Sequence, residues 1–286
     1  VPRRRAVWAG TLANVLILLW ILLPLVGLAL GSIQTERDLF ANAPHIWPRH
    51  VTLENLAGLV LVREVPGFPT HARSFPRSFT NSAFVAIGTV GVTLVIAALA
   101  AYAMARLRFP GSTALAYGFL ATRTVPLIIL IVPLYVMLGR LGLLNSVGGL
   151  IIAETGLFLP YAIWILLGHF AAVPAEMEEA ALIDGCGRIR ALWHVVLPLV
   201  APGLAACSVI IFLLSWNELL VPLILMSRQD GMTLPVLISS FVTVRYLSYT
   251  LLNAAGLLAL LPTLILALLV QRYIVRGLIS GALAGR

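Results

Sequence analysis

The sequence predicts an all-α integral membrane protein with six transmembrane helices and both termini on the cytoplasmic side. Three observations carry this reading. Of 286 residues, 60% are hydrophobic, and only 10% are charged, where soluble chains carry about 25%. The mean hydropathy is +1.02. The apolar residues gather in runs of roughly 20, the length a helix needs to cross ~30 Å of hydrocarbon. A soluble domain could not hide so much apolar surface, so a soluble enzyme, a disordered chain and a secreted disulfide scaffold are excluded. Helices alone fit these lengths, because each satisfies its own backbone in lipid.

The first span is Trp8–Leu30. Arg3, Arg4 and Arg5 precede it as they would a signal peptide. The run is too long for one, and no small-x-small cleavage site follows closely, so it reads as a retained helix. The segment Gly31–Phe79 then forms a long outer loop rich in Pro, His and aromatics (Pro44, His45, Trp47, Pro48, Pro66, Pro69, Pro76). It reads as a cover for the outer mouth, a partner contact or a loose linker. Span two is Thr80–Ala105, where Gly88, Gly91 and the Ala-rich stretch Ala97–Ala105 suit close helix contact. Span three is Ser112–Leu138 and span four Gly149–Phe170. Span five is Leu199–Met226, an outer loop Ser227–Thr250 follows, and span six is Leu251–Arg272. Pro126, Pro133, Pro198, Pro222 and Pro262 kink or terminate helices. Residues 1–79 thus form a first helix plus outer loop, and 80–286 a core of five helices.

All 19 basic residues are Arg, against 11 acidic residues, for a net charge of +8. They lie in ones and twos between apolar runs, which fits topology and lipid headgroups and argues against nucleic acid. With the N-terminus inside, ten Arg fall on inner segments and eight on outer ones, a weak inside bias. Cys186 and Cys207 have neither metal nor disulfide spacing and read as packing residues. No Ser-His-Asp, Cys-His or metal-ligand cluster is visible, so neither an enzyme nor a metal protein is expected. His169 and His194 read as structural.

The inner loop between spans four and five carries the most information. Pro174 suits a helix start, and Glu176, Glu178 and Glu179 complement its positive end. Gly185 suits a left-handed stop after Asp184. Beyond it, Ile189, Leu192, Trp193 and Val196 show helical apolar spacing, opposite Arg188 and Arg190. Pro198 opens the next span. This helix-Gly-helix is either a docking element for an intracellular partner or a hairpin lying on lipid.

Glu179-Ala180-Ala181, three residues, Gly185, nine residues, then Val195-x-Leu197-Pro198 resembles the EAA loop of binding-protein-dependent ABC importer permeases. It departs only by Val for Ile. The likeness is closest to the carbohydrate-type, MalG-like branch. Further matches are Pro48-x3-Leu53-Glu54-Asn55, Asn81-Ser82, Ala101-Tyr102-Ala103-x-Ala105-Arg106-x-Arg108-Phe109-Pro110-Gly111, Pro133-Leu134-Tyr135, Leu141-Gly142-Leu143, Trp216-Asn217-Glu218 and Gln271-Arg272 with Gly277-Leu278 and Gly281-Ala282. The resemblance implies that Glu179, Ala180, Ala181, Asp184, Gly185, Leu197 and Pro198 belong to a coupling helix seated on an ATPase subunit. It implies a second homologous permease, two ABC ATPase subunits and an extracytoplasmic solute-binding protein as partners, in a plasma membrane. This chain is expected to bind no cofactor of its own. Without Lys it cannot form a Walker A loop, so ATP and Mg belong to the partner ATPase.

Ionisable groups inside spans cost at least ~2.5–3.5 kcal/mol each. There are three: Arg123, Glu154 and Glu218. Arg123, Asn217 and Glu218 are candidates to line a translocation path, hydrogen-bonding a sugar's hydroxyls. The alternative is an internal ion pair of Arg123 with Glu154 or Glu218 that only fixes packing. The expected function is import of a sugar or sugar-like solute. The alternatives are a permease for a polyamine, phosphate or other small solute, and an ion-coupled secondary transporter. The last should show internal repeats or a midplane carboxylate relay, and neither is seen.

Overall fold

A computed structural model describes residues 2–40, 47–63, 69–107, 109–242 and 248–284, with the backbone alone for 2–9 and 270–284. Pro44, His45, Pro66, Arg108 and Arg245 lie outside the described residues, and the side chains of Arg3, Arg4, Arg5 and the Gln271–Ala282 motif are likewise not described.

Among the described residues the chain is helical, with no β-strand. The helices are α1 Pro2–Ser32, α2 Glu36–Leu39, α3 Glu54–Val60, α4 Phe75–Arg106, α5 Ser112–Thr122, α6 Leu127–Arg140 and α7 Val147–Ala172. Then come α8 Ala175–Ile183, α9 Arg188–Ala191, a π turn Leu192–Val196, α10 Leu197–Trp216, α11 Leu220–Leu225, α12 Leu234–Ser239 and α13 Tyr249–Ala284. Among the described residues, five stretches are long and apolar enough to cross a membrane: Gly10–Ser32, Thr70–Arg106, Val147–Ala172, Arg188–Trp216 and Tyr249–Leu269. A sixth exists only if α5 and α6, bent by 97°, count as one broken span.

That bend lies within the span expected over Ser112–Leu138, at Pro126, one of the prolines expected to kink or terminate a helix. Pro126 has no N–H to give the ladder, and it disfavours helical geometry at Val125. Thr122 and Thr124 turn their hydroxyls back onto the carbonyls of Phe119 and Ala121, at 2.7 and 2.8 Å. Pro133, Pro160, Pro202 and Pro262 sit inside continuous helices, so proline alone does not break a span here. The fifth span differs from Leu199–Met226. It stops at Trp216, and Glu218 caps the separate α11, its Oε1 accepting from the N–H groups of Leu220 and Val221 at 3.0 and 3.2 Å. At its other end it begins early, because α9 and the π turn run straight into α10.

The chain forms two compact units. The first comprises 1–77 with 237–261, the second 78–236 with 262–286. In the first unit, part of the expected outer loop is tied down by buried polar groups. Asn55 Nδ2 donates to the carbonyls of Ser32 and Gln34 at 2.9 and 2.8 Å. The Glu36 carboxylate receives the Ser248 hydroxyl and, at 3.2 and 3.1 Å, the N–H and hydroxyl of Thr250. Gly31 packs against Asn253 so closely that a Cβ would collide.

In the second unit the core is built from α4, α5, α7 and α10 with the π turn. Ala97 and Ala101 of α4 are fully buried among Phe158, Leu166, Phe170 and Val196, so small residues do permit close contact there. Gly88 abuts Ile151, whereas Gly91 faces open space. Gly203 abuts the His169 ring. Asn81 and Ser82 hold the segment before α12: Asn81 Nδ2 donates to the carbonyls of Asp230 and Met232, and Ser82 Oγ accepts the Leu234 N–H at 2.8 Å.

Candidate functional site

The loop between α7 and α10, expected on the inner side, folds as a helix, a left-handed stop and a second helix. Pro174 caps α8, with Glu176 and Glu178 in its first turn. Gly185 has φ +85°, and its N–H closes onto the Leu182 carbonyl at 3.1 Å while that of Cys186 closes onto Ala181 at 3.0 Å. Nothing lies within 4 Å of a Cβ built at Gly185. Within this chain the glycine therefore serves the backbone turn.

Glu179, Ala180, Asp184 and Gly185 are exposed, and Ala181 is buried. Leu197 is half-buried against the core, and Pro198 lies exposed in the first turn of α10. The expected apolar stripe of the second helix splits in two. Leu192 and Val196 enter the core, while Ile189 and Trp193 are 75% and 62% exposed. Ile189 and Trp193 lie four residues apart on one side of the stripe, and Leu192 and Val196 four apart on the other, so the burial boundary runs along its length. Ile183 and Met177 join Ile189 and Trp193 as exposed apolar residues on the loop.

Glu178 was not among the site residues expected from the sequence. It is 4% exposed, beside the exposed Glu179. Tyr102 Oη donates to its Oε1 at 2.5 Å. Arg106 Nε lies 3.2 Å from its Oε2, an ion pair without hydrogen-bond alignment. Arg106 Nη2 also donates to the Val173 carbonyl at 2.6 Å. Tyr102 and Arg106 are four residues apart, hence on one face of α4, and that spacing within the α4 motif was the available signal. A cavity of about 270 Å³ opens beside them, with Ala105, Leu182 and Arg188 in its lining.

A second polar cavity, of about 420 Å³, lies at the α5–α6 break. Thr122, Arg123, Thr124, Gly156, Pro160 and Glu218 are among its lining residues. Arg123 and Glu218 thus face one space, whereas Asn217 is absent from the lining and its Nδ2 caps α10 on the Leu213 carbonyl at 2.8 Å. The Arg123 guanidinium sits 5.1 Å over the Tyr161 ring, within cation–π range, and Nη1 donates to the Leu157 carbonyl at 3.4 Å. Among the described residues no ion pair joins Arg123 to Glu154 or Glu218, contrary to the packing alternative. Glu154, fully buried, accepts instead from hydroxyls: Thr89 at 3.3 Å and Ser215. Among the described residues its Oε1 has no partner.

Residues 93–280 match the family of binding-protein-dependent transport system inner membrane components. The chain belongs to that family. It is a permease, the transport subunit of an ABC importer in the plasma membrane. It is 33% identical over 279 residues to the diacetylchitobiose uptake system permease protein DasC of Streptomyces coelicolor, covering 98% of this chain and 97% of DasC. It is 32% identical to the trehalose transport system permease protein SugB of Mycobacterium tuberculosis, covering 99% of each. Its fold is that of a bacterial ABC transporter involved in importing the acidic polysaccharide alginate, with TM-score 0.78, 21% identity, and 95% and 96% of the two chains covered.

Proposed function

We propose that this permease imports a sugar or sugar-like solute by alternating access, driven by ATP hydrolysis in two ABC ATPase subunits docked on its inner loop. The relatives named for diacetylchitobiose and trehalose support a carbohydrate substrate. A second homologous permease completes the membrane pore, and an extracytoplasmic binding protein delivers the solute. Both termini lie in the cytoplasm. ATP and Mg are held by the ATPase partners.

The observation that carries the docking reading is the outward display of Glu179, Ala180, Asp184 and Gly185 at a left-handed helix stop, flanked by exposed Met177, Ile183 and Ile189. Such an apolar patch rimmed by charge suits a protein partner. Ala181 supports the turn from beneath, and Leu197 and Pro198 join it to the fifth span. When the ATPases close, their docked loops are drawn together and the spans rock between inward- and outward-facing states. The solute path runs through the cavity at the α5–α6 break, where Arg123 offers free guanidinium donors and Glu218 an acceptor to sugar hydroxyls. Asn217 serves as the helix cap that places Glu218.

The test is affinity purification from native membranes in mild detergent, followed by uptake in proteoliposomes. A second permease and a P-loop ATPase should co-purify, and uptake should require ATP inside. Recovery of this chain alone, carrying solute on an ion gradient, would overturn the reading. Gly185→Glu should abolish co-purification, since it adds strain at positive φ and a charge at the contact. Arg123→Ala should leave assembly intact and change solute KM or Vmax by about tenfold or more, the scale of a charged hydrogen bond. Unchanged kinetics would remove Arg123 from the path.

A further inference from the structure

We propose that Glu178, Tyr102 and Arg106 form the tie through which movement of the inner loop reaches the transmembrane helices, so that the adjacent glutamates have opposite duties. Glu179 faces the ATPase, and Glu178 faces this chain's own α4. The proposal rests on the docking reading above and adds the residues that transmit the stroke.

In α8, Glu178 and Ala181 are buried and Ala175 and Leu182 half-buried, and the helix packs on the π turn and α9. Apolar contact of this kind is non-directional. The polar contacts fix direction. Arg106 clasps the start of α8 at two points, the Val173 carbonyl and the Glu178 carboxylate. Tyr102 engages the other carboxylate oxygen. The Arg106 and Glu178 side chains are 12% and 5% exposed, where water screens a charge pair poorly. A pull on α8 is therefore a pull on the last turns of α4.

The same helix carries the force onward. Thr89 lies thirteen residues before Tyr102 on α4, roughly 20 Å away at ~1.5 Å per residue. There its hydroxyl meets Glu154 of α7, which also holds Ser215 of α10. One continuous helix thus joins the loop tie to the polar clamp on α7 and α10. Cutting the tie leaves the outward face of α8 in place, so ATPase subunits stay bound while their motion no longer drives the spans.

The experiment uses the whole transporter in proteoliposomes, with its binding protein and solute, and reads solute moved per ATP hydrolysed. Glu178→Gln and Tyr102→Phe should each retain wild-type ATPase co-purification and lower that ratio at least tenfold. Glu179→Arg should instead lose the ATPase. A wild-type ratio in Glu178→Gln and Tyr102→Phe would overturn the proposal, as would loss of ATPase from Glu178→Gln with retention in Glu179→Arg. If the unaltered chain recovers no ATPase, the docking reading itself fails, a distinguishable result. Should either substitution prevent folding, Tyr102→Cys with Glu178→Cys in a Cys186→Ser background replaces the tie with a bifunctional thiol cross-linker. Cross-linking should raise the ratio at least tenfold over the unlinked protein, and no rise would overturn the proposal.

Discussion

Two buried carboxylates in the second unit are held in opposite ways. Glu178, at the C-terminal end of α4, pairs with a guanidinium and a phenol. Among the described residues Glu154, between α4, α7 and α10, has only hydroxyls from Thr89 and Ser215, with one oxygen unpartnered. The difference follows from where each lies. Glu178 belongs to a loop helix, where an arginine reaches its partner without its charge being carried into hydrocarbon. A cation placed beside Glu154 would have to enter a membrane span, at a cost of at least ~2.5–3.5 kcal/mol. Hydroxyls bring polarity without charge, and each can also bond its own helix when the contact opens. A charge pair suits a tie that must not slip, and a hydroxyl clamp suits a contact that exchanges partners during a cycle.

The contrast is sharpest when one member of each set is removed. Arg106→Ala should strand Glu178 as a buried, unpaired charge and destabilise its surroundings by about 3–5 kcal/mol. The midpoint of thermal unfolding in detergent should fall clearly, and Glu178→Gln in the same chain should restore much of the loss. If Arg106→Ala is silent, the ion pair is not the anchor and the contrast fails.

At the other site, Ser215→Ala should cost about 1–3 kcal/mol, the loss of one buried hydrogen bond. Glu154→Gln should cost less, since its amide offers the same hydroxyls an acceptor without a charge. Thermal unfolding of the two variants side by side checks the order. A larger loss in Glu154→Gln than in Ser215→Ala would mean that the negative charge itself is required, and the two sites would then be alike.

How much of this was legible in the sequence differs between the two sites. The spans follow from hydropathy, and the left-handed stop at Gly185 follows from backbone sterics, so both are readable from short windows. The break at Pro126 is harder. Pro133, seven residues on, is absorbed by its helix, and what separates the two is whether nearby Thr hydroxyls and packing favour a turn. The facing of Glu178 and Glu179 is harder still. Neighbours on a helix point about 100° apart, and only packing against Tyr102 and Arg106 decides which turns inward. Pairing of Arg123 with a glutamate was plausible because opposite charges in a membrane attract. Instead the Arg123 guanidinium lies over Tyr161 with Nη1 on the Leu157 carbonyl, and one oxygen of Glu218 caps α11.

A third carboxylate, away from the membrane, extends the series to its weak end. Asp38 accepts the His50 N–H at 3.2 Å, with His50 Nδ1 3.3 Å from the carboxylate. The histidine side chain is 78% exposed. Desolvation raises the Asp38 pKa, but hydrogen bonds from His50 and Thr35 and the charge of His50 outweigh it, so the net shift is downward from 3.8. A lowered folded-state pKa means that any stabilisation is fully present above the unfolded value and disappears as pH falls through the folded one. The window therefore lies below about pH 4, close to the ordinary Asp value. Between pH 5 and 8, ionisation of Asp38 should add no slope to stability, and exposed pairs contribute little in water. Asp38→Asn should accordingly shift the unfolding midpoint least of all these variants when all are compared at pH 8. A shift as large as that of Ser215→Ala would show that the Asp38–His50 contact is shielded from solvent despite the exposed histidine, and that Asp38 does not mark the weak end of the series.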